Sequence, residues 1–248
     1  MDKLWPVDDA PHADEDLERC YAFPDALQRP WVRVNFVSSL DGAVSVHGRS
    51  QGLSSADDRT VLALIRDLAD VVLVGAGTAM TEGYRGIKHT EVRADRRRRN
   101  GLSDVPPIAL VTPNGSLPPD SPLLTDTLVP PIVLTTEAAP AQRRAELADA
   151  GADVVLAGDA ELDLPAALAA LRARGLNRIA CEGGPQLFGS LLRADLVDEL
   201  CLTVSPLLAG GGAGRIAAGT GAEPPRDLEL RSVLRSGSML LLRYVRQA

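Results

Sequence analysis

The stretch Arg178–Gly189, RIACEGGPQLFG, carries the strongest structural signal in the chain, and Leu196–Gly212, LVDELCLTVSPLLAGGG, follows it closely. An apolar run, Ile179–Cys181, ends in Glu182, and two glycines and a proline then lead into a helix-like segment. This order predicts a strand, a tight turn and the N-terminus of a helix. The unpaired N–H groups and the dipole at such a terminus favour a phosphate. Because an acidic side chain lies beside it, the stretch suggests an enzyme that binds a dinucleotide.

The composition is typical of a protein with an aliphatic core. Of the 248 residues, 45% are hydrophobic and only 3% are aromatic, and this length allows one or two domains. The formal net charge of −7 and the pI near 5.0 argue against a nucleic-acid-binding surface. The acidic N-terminus has no apolar signal region, and no apolar stretch approaches the roughly 20 residues of a membrane span. We therefore expect a cytoplasmic protein that binds neither nucleic acid nor membrane.

Two other features carry no catalytic signal. Cys20, Cys181 and Cys201 are widely spaced, with neither a disulfide framework nor a Cys-X-X-Cys zinc pattern. The four arginines of Arg96–Arg99 fall in the polar stretch Val92–Pro107, which we interpret as a solvated loop. The alternative interpretation is a basic segment that helps to hold an anionic ligand.

The first thirty residues, 1–30, are acidic and lack a clear periodicity. We expect them to form an extended arm that packs through Leu4, Trp5 or Tyr21. No linker divides the rest of the chain, so residues 31–248 are predicted to form a single domain.

The domain combines strands with helices in alternation. It begins with strand Trp31–Ser39 and a short strand Ala43–Val46, and Ser55 or Asp57 could then cap a helix. Further strands are predicted at 71–74, 108–111, 132–134, 153–156, 179–181 and 200–204, and further helices at about 140–150, 164–174 and 186–194. The runs 228–234 and 239–245 predict an antiparallel hairpin. We therefore expect an α/β fold with a mostly parallel, mixed sheet flanked by helices and a C-terminal hairpin.

Four segments of the domain resemble the reductase domain of riboflavin biosynthesis, a relative of dihydrofolate reductase. They are VSSLDGAV at Val37–Val44, LIRDLADVVLVGAGT at Leu64–Thr78, CEGGPQLFGSLL at Cys181–Leu192, and the Leu196–Gly212 stretch. The resemblance covers the chain from about Trp31 to its C-terminus. It implies a dihydrofolate-reductase-like fold, NADPH as the cofactor and a homodimer.

The resemblance also implies a set of site residues. Glu182 would recognise the substrate heterocycle, and Asp41 would orient the substrate or relay a proton; these are the two catalytic candidates. Arg66 would contact a substrate phosphate, and Asn35 and Ser50 would line the substrate site. The implied cofactor contacts are Ser38, Gly75, Gly77, Thr78, Glu82, Gly183, Gly184, Pro185, Gln186 and Leu187.

The chain departs from the family pattern in four places. Asn35 stands where the bifunctional bacterial members have a lysine, and Gly52 stands where they have a tryptophan. The segment Thr81–Ile87 also differs from the family segment that holds the substrate. Their zinc deaminase motifs, His-x-Glu and Pro-Cys-x-x-Cys, do not occur in this chain, so we expect neither deaminase activity nor a bound metal.

Three functions remain open on the sequence. The leading hypothesis is an NADPH-dependent reductase of a ribosylaminopyrimidine 5′-phosphate, which transfers hydride to an opened ribosylamino carbon. The altered positions Asn35, Gly52 and 82–87 motivate a second hypothesis, a dihydrofolate or pteridine reductase. The third is a non-catalytic NADPH-binding protein. The residues that read the cofactor 2′-phosphate stay open, although Thr112–Gly115 is a candidate.

Overall fold

Strands and helices alternate in the computed structural model, which describes residues 1–6, 14–219 and 225–247. The strands are β1 (Asp2–Trp5), β2 (Trp31–Ser39), β3 (Val71–Gly75), β4 (Ile108–Val111), β5 (Ile132–Thr135), β6 (Asp153–Leu156), β7 (Arg178–Cys181), β8 (Glu199–Ser205), β9 (Leu228–Ser236) and β10 (Met239–Arg246). The helices are α1 (Asp14–Cys20), α2 (Ala56–Leu68), α3 (Ala76–Glu82), α4 (Glu91–Arg99), α5 (Pro122–Thr125), α6 (Ala141–Asp149), α7 (Leu164–Ala173) and α8 (Pro185–Arg193).

All of these strands belong to one sheet, with the order β1-β9-β10-β8-β2-β7-β3-β4-β5-β6. Every neighbouring pair from β8 to β6 is parallel. The pairs that join β8, β10, β9 and β1 are antiparallel. The predicted α/β class, with a mostly parallel sheet and an antiparallel C-terminal hairpin, is confirmed.

The central strands are apolar throughout because the sheet is covered on both faces. Val71, Val72, Leu73 and Val74 of β3 are all fully buried, and they alternate between two separate hydrophobic clusters. A strand that packs against helices on both sides has no solvent face, so its sequence shows a continuous apolar run instead of an alternation.

Strand β7 enters the sheet between β2 and β3, although it follows β6 in the chain. The carboxyl ends of β2, β3 and β7 therefore lie side by side at one edge of the sheet. In an open α/β sheet, ligands bind outside the carboxyl ends of the strands where the strand order reverses. The topology thus brings Glu182, the Gly183–Gly184 turn and the Gly75–Thr78 segment to the position that usually holds a ligand.

The N-terminal segment differs from the expected extended arm. Asp2–Trp5 pairs antiparallel with β9, which places it in the sheet, and Asp14–Cys20 is helical. Of the three anchor candidates, Tyr21 is buried in the hydrophobic core, whereas Leu4 and Trp5 are exposed. The arm therefore packs through Tyr21.

The short strand predicted at Ala43–Val46 is wrong. The Ser39 amide donates to the Ala43 carbonyl, and the Ala43 amide donates to the Ser39 hydroxyl, so the chain turns back at the end of β2. Beyond this turn Val46 forms only an isolated bridge to Arg49. The alternating pattern at Ala43–Val46 is short. Because the turn uses the backbone groups of Ala43, the segment does not pair as a strand.

The interpretation of Arg96–Arg99 as part of a solvated loop is also wrong. These arginines form the last turn of α4, and Arg97 is completely buried. Its Nη1 donates to the carbonyls of Ala69 at 2.6 Å, Arg66 at 3.1 Å and Asp67 at 3.2 Å, at the C-terminal end of α2. Burial lowers the pKa of Arg97 to about 10, which still leaves it charged at neutral pH.

We expect Arg97→Ala to destabilise the fold by about 2 to 4 kcal/mol, because it leaves several buried carbonyls without a donor. Arg98→Ala is the matched control, since the Arg98 side chain is 54% exposed and should change stability by less than about 0.5 kcal/mol. Urea denaturation of both variants measures the difference. Equal stabilities would contradict a structural role for Arg97.

Candidate active site

Two cavities adjoin at the carboxyl edge of the sheet. The larger has a volume of about 860 Å³ and the smaller a volume of about 310 Å³. They share a wall made by Gly77 and Thr78 of α3 and by Gly184 and Pro185 at the start of α8. Because the two cavities meet at this wall, two ligands bound in them would contact each other there.

The larger cavity is lined by the N-termini of three helices, α3, α7 and α8. In α7 the Asp163 side chain caps the helix by accepting from the Ala166 amide. In α8 the N-cap residue is Gly184, so no side chain satisfies the first N–H groups. Uncapped N–H groups and the helix dipole make this end of α8 suited to a phosphate or pyrophosphate.

The turn before α8 lies in close contact with its neighbours, which explains its glycines. A Cβ on Gly183 would lie 2.4 Å from Cζ of Phe36, and a Cβ on Gly184 would lie 2.2 Å from Oγ1 of Thr78. Gly183 also has a φ of +81°, which L side chains rarely adopt. At Gly77, by contrast, a Cβ would meet no atom within 4 Å and would project into open space at the shared wall.

Glu182 lies in the wall of the smaller cavity, where two donors bind it. Nε and Nη2 of Arg66 each donate to one of its oxygens at 2.6 Å, and the Tyr84 hydroxyl donates to Oε2. Burial opposes the charge of Arg66, but the adjacent carboxylate outweighs burial and raises the arginine pKa. Burial and the same carboxylate raise the pKa of Tyr84, which therefore remains a donor at neutral pH. Glu182 and Arg66 therefore form an ion pair whose charges balance, and the Tyr84 hydroxyl donates a hydrogen bond to its carboxylate.

Asp58 lies in the same cavity and was missed by the sequence reasoning. It is only 7% exposed, and its Oδ2 accepts a hydrogen bond from the Ser54 hydroxyl at 2.6 Å. Its backbone amide donates to Ser55, which confirms Ser55 as the cap of α2. In the sequence Asp58 resembles any acidic residue in the first turn of a helix, so only the fold distinguishes it.

The structure brings most of the other expected residues to the two cavities. Those that line the smaller cavity are Asn35, Ser50, Gly77, Thr78, Glu82, Glu182, Gly184 and Pro185. Those that line the larger one are Gly75, Gly77, Thr78, Gly184, Pro185, Gln186 and Leu187. Glu82 also accepts from the Ser50 amide at 2.8 Å, which joins α3 to the loop before α2.

Four expected residues do not line either cavity in the described part of the chain: Ser38, Asp41, Arg66 and Gly183. Ser38 is buried in β2, and Gly183 lies behind the shared wall against Phe36. Arg66 reaches the smaller cavity through its bonds to Glu182.

The proton-relay role expected for Asp41 disagrees with its surroundings. Its carboxylate accepts from the Ser39 hydroxyl and from the amides of Gly210, at 2.7 Å, and Ala209, at 3.2 Å. The Ser39 hydroxyl and these two amides lower the pKa of Asp41 to about 2, so it is ionised at neutral pH and holds no proton to donate. Asp41 instead holds the loop after β8 against the end of β2.

We expect Asp41→Asn to speed the exchange of the Ala209 and Gly210 amides by about tenfold or more, because an amide group cannot accept both bonds as well. Hydrogen exchange measures this, with the exposed Asp120→Asn as the control. The pH dependence of turnover between about pH 6 and 9 should stay unchanged. If Asp41→Asn instead removed an ionisation from the pH profile of turnover in that range, the result would support the proton-relay role.

Comparisons with known proteins agree with this geometry. The chain matches the RibD C-terminal domain family over residues 30–242. It is 31% identical over 220 residues to the 2,5-diamino-6-ribosylamino-4(3H)-pyrimidinone 5′-phosphate reductase of Methanothermobacter thermautotrophicus, covering 87% of this chain and 98% of that one. The reductase of the same name from Archaeoglobus fulgidus is also 31% identical, over 74% of this chain and 83% of that one.

The solved structures agree on the fold. A pyrimidine reductase-like protein from Corynebacterium diphtheriae superimposes with a TM-score of 0.79 at 25% identity, over 94% of this chain and 99% of that one. RibD from Acinetobacter baumannii matches with a TM-score of 0.70 at 21% identity, over 89% of this chain and 59% of that one. The expected dihydrofolate-reductase-like fold is thereby confirmed, and the chain belongs to the RibD C-terminal domain family of oxidoreductases.

Proposed function

We propose that this protein is an NADPH-dependent reductase of a ribosylaminopyrimidine 5′-phosphate. The observation that carries the proposal is the pair of adjoining cavities, one with an uncapped helix N-terminus and one with buried carboxylates. Such a pair holds a dinucleotide and a polar heterocycle in contact. The similar archaeal reductases are named for this substrate class, which supports the proposal.

The larger cavity fits a nicotinamide dinucleotide. Its pyrophosphate would lie at the start of α8, on the Gly184–Leu187 turn, and Gly75 and Thr78 would line the path to the shared wall. The open space in front of Gly77 is a cradle that a Cβ would fill. When bound, the reduced cofactor supplies a hydride from its nicotinamide ring. The hydroxyls of Thr112 and Ser116 line the same cavity and are our candidates for contacts to the 2′-phosphate that distinguishes NADPH from NADH.

The smaller cavity would hold the substrate. Reduction requires the ribosylamino group to open: the bond from C1′ to the ring oxygen breaks, the amino nitrogen forms a double bond to C1′, and its proton passes to the ring oxygen, which becomes a hydroxyl. The imine carbon then accepts hydride and its nitrogen takes up a proton. Asn35, Ser50 and Glu182 would orient the substrate so that C1′ faces the shared wall. Arg66, whose Nε and Nη2 bind Glu182 beside the cavity, is our candidate for the contact to the substrate phosphate.

A second candidate function is the reduction of dihydrofolate or a related pteridine. Among the described residues that line the smaller cavity there is no lysine or arginine. A cavity without a cation suits a heterocycle that carries no phosphate near the reacting carbon. A non-catalytic NADPH-binding protein is the third candidate. It leaves the three carboxylates that line the smaller cavity, those of Asp58, Glu82 and Glu182, without a function.

We further propose a cytoplasmic homodimer with no nucleic-acid or membrane partner. The family resemblance supports the dimer, and the net charge of −7 disfavours nucleic acid. No helix among the described residues could span a bilayer. Light scattering of the purified protein tests the dimer.

The oxidation of NADPH, measured with each substrate in turn, tests the proposed function. We expect consumption with a ribosylaminopyrimidine 5′-phosphate, and faster consumption with NADPH than with NADH. Consumption with dihydrofolate alone would replace the leading function with the second one. Cofactor binding without turnover of any substrate would favour the third.

We expect Glu182→Gln to lower kcat by about a hundredfold or more, because it leaves the charge of Arg66 uncompensated beside the substrate. The Kd for NADPH should change by less than about twofold, since Glu182 lies outside the cofactor cavity. Tyr84→Phe is the matched control, because it removes one hydrogen bond to Glu182 and keeps the ion pair. A Glu182→Gln enzyme with nearly normal turnover would contradict the assigned role.

A further inference from the structure

The smaller cavity contains two buried carboxylates whose surroundings differ. Glu182 accepts three hydrogen bonds, and Arg66 balances its charge. Asp58 accepts only the bond from Ser54, and no ion pair in the described part of the chain includes it. Asp58 is therefore a buried carboxylate without a cation.

One oxygen of Asp58 remains available in the cavity. Oδ2 accepts the Ser54 hydroxyl, whereas Oδ1 accepts no hydrogen bond from any residue that the structure describes. The residue is more than nine-tenths buried and lines the cavity. A largely buried carboxylate is stabilised by the donors that bind it, so this oxygen is free to accept an N–H group of a ligand in the cavity.

A carboxylate pairs best with two adjacent N–H groups, because its two oxygens accept them side by side. Each carboxylate oxygen can accept two hydrogen bonds, so Oδ2 of Asp58 can bind such a group beside the Ser54 hydroxyl while Oδ1 binds the other. A 2-amino-4(3H)-pyrimidinone presents such an edge, with the exocyclic 2-amino group next to the N3–H. A uracil ring presents an N3–H next to a 2-oxo group, whose oxygen would be repelled by the carboxylate. The two rings therefore differ at position 2, where the aminopyrimidinone offers the carboxylate an N–H donor and uracil offers it an oxygen.

The family contains enzymes named for each of these rings. The archaeal relatives are named for a 2,5-diamino-4(3H)-pyrimidinone phosphate, and one solved bifunctional protein from Thermotoga maritima is named for a uracil. The two substrates differ by the deamination of C2. A preference for one ring thus decides whether reduction precedes or follows deamination.

We propose that Asp58 reads the 2-amino and N3–H edge of the substrate ring, so that this enzyme reduces the 2-aminopyrimidinone before a separate deamination. The proposal deepens the proposed function and rests on it for the identity of the reaction. Glu182, which Arg66 holds in place, would make a second polar contact in the cavity, and Asp58 would determine specificity. The reaction class that must consume the product is the hydrolytic deamination of a 2-aminopyrimidinone.

The test compares kcat/KM for the 2,5-diaminopyrimidinone phosphate and for the corresponding uracil phosphate. We expect the native enzyme to prefer the 2-amino substrate by at least about tenfold, because the uracil leaves the buried carboxylate unsatisfied. Asp58→Asn should remove most of this preference, mainly by raising KM for the 2-amino substrate. Asp57→Asn is the matched control, since Asp57 contacts Ser236 and does not line the cavity.

A binding measurement keeps the inference independent of turnover. Calorimetry with 2-aminopyrimidin-4(3H)-one and with uracil, on the protein saturated with oxidised cofactor, should show the same preference in the native protein and its loss in Asp58→Asn. Asp58→Ala removes the same carboxylate by a different change and should also lose the preference, which covers the case in which Asp58→Asn does not fold.

The two proposals can fail separately. Ring preference without turnover of either phosphate would overturn the proposed function and leave the role of Asp58 standing. Turnover with equal kcat/KM values, a preference for uracil, or a preference that survives in Asp58→Asn would overturn the role of Asp58.

Discussion

The insertion of β7 between β2 and β3 is the constraint on which both cavities depend. The Glu182 amide donates to the Leu73 carbonyl at 2.9 Å, and the Gly75 amide donates to the Gly183 carbonyl at 2.7 Å. These bonds continue the sheet past the end of β7 and fix its turn beside the start of α3. Because neither Gly183 nor Gly184 has room for a Cβ, the turn packs directly on its neighbours. Two of the four residues in the wall between the cavities, Gly77 and Gly184, have no side chain, so two ligands can approach the backbone closely there.

Helix α2 connects the structural core to the chemistry. Asp58, Leu62 and Arg66 follow one another at intervals of four residues, so they lie along one side of the helix. Asp58 and Leu62 line the substrate cavity, and Arg66 binds Glu182 behind it. Ser55 caps the beginning of the helix, and Arg97 binds the carbonyls at its end. Both ends of α2 are thus held, and the position of its polar side chains follows from packing that lies outside the cavities.

The sequence predicts the parts of this structure that depend on local pattern. The apolar runs of the sheet, the helix after Pro185 and the cavity position of Glu182 follow from periodicity and from the glycine turn. The burial of Arg97 and the cavity position of Asp58 do not, because each depends on residues that pack from distant parts of the chain. An arginine run is usually solvated, and an aspartate in the first turn of a helix usually interacts with the helix dipole. Only the three-dimensional arrangement shows that these two have other partners.

The SLDG motif, whose aspartate was a candidate catalytic acid, also depends on contacts with a distant part of the chain. Its aspartate, Asp41, accepts hydrogen bonds from the loop 209–210, which belongs to the second signature stretch of the chain. That loop continues to Ala218, whose amide donates to the Pro185 carbonyl and whose own carbonyl packs against Gly189. The motif therefore connects the end of β2 to the start of α8 through one continuous segment. Since α8 presents its N-terminus to the cofactor cavity, these contacts favour a positioning role for Asp41 over proton transfer.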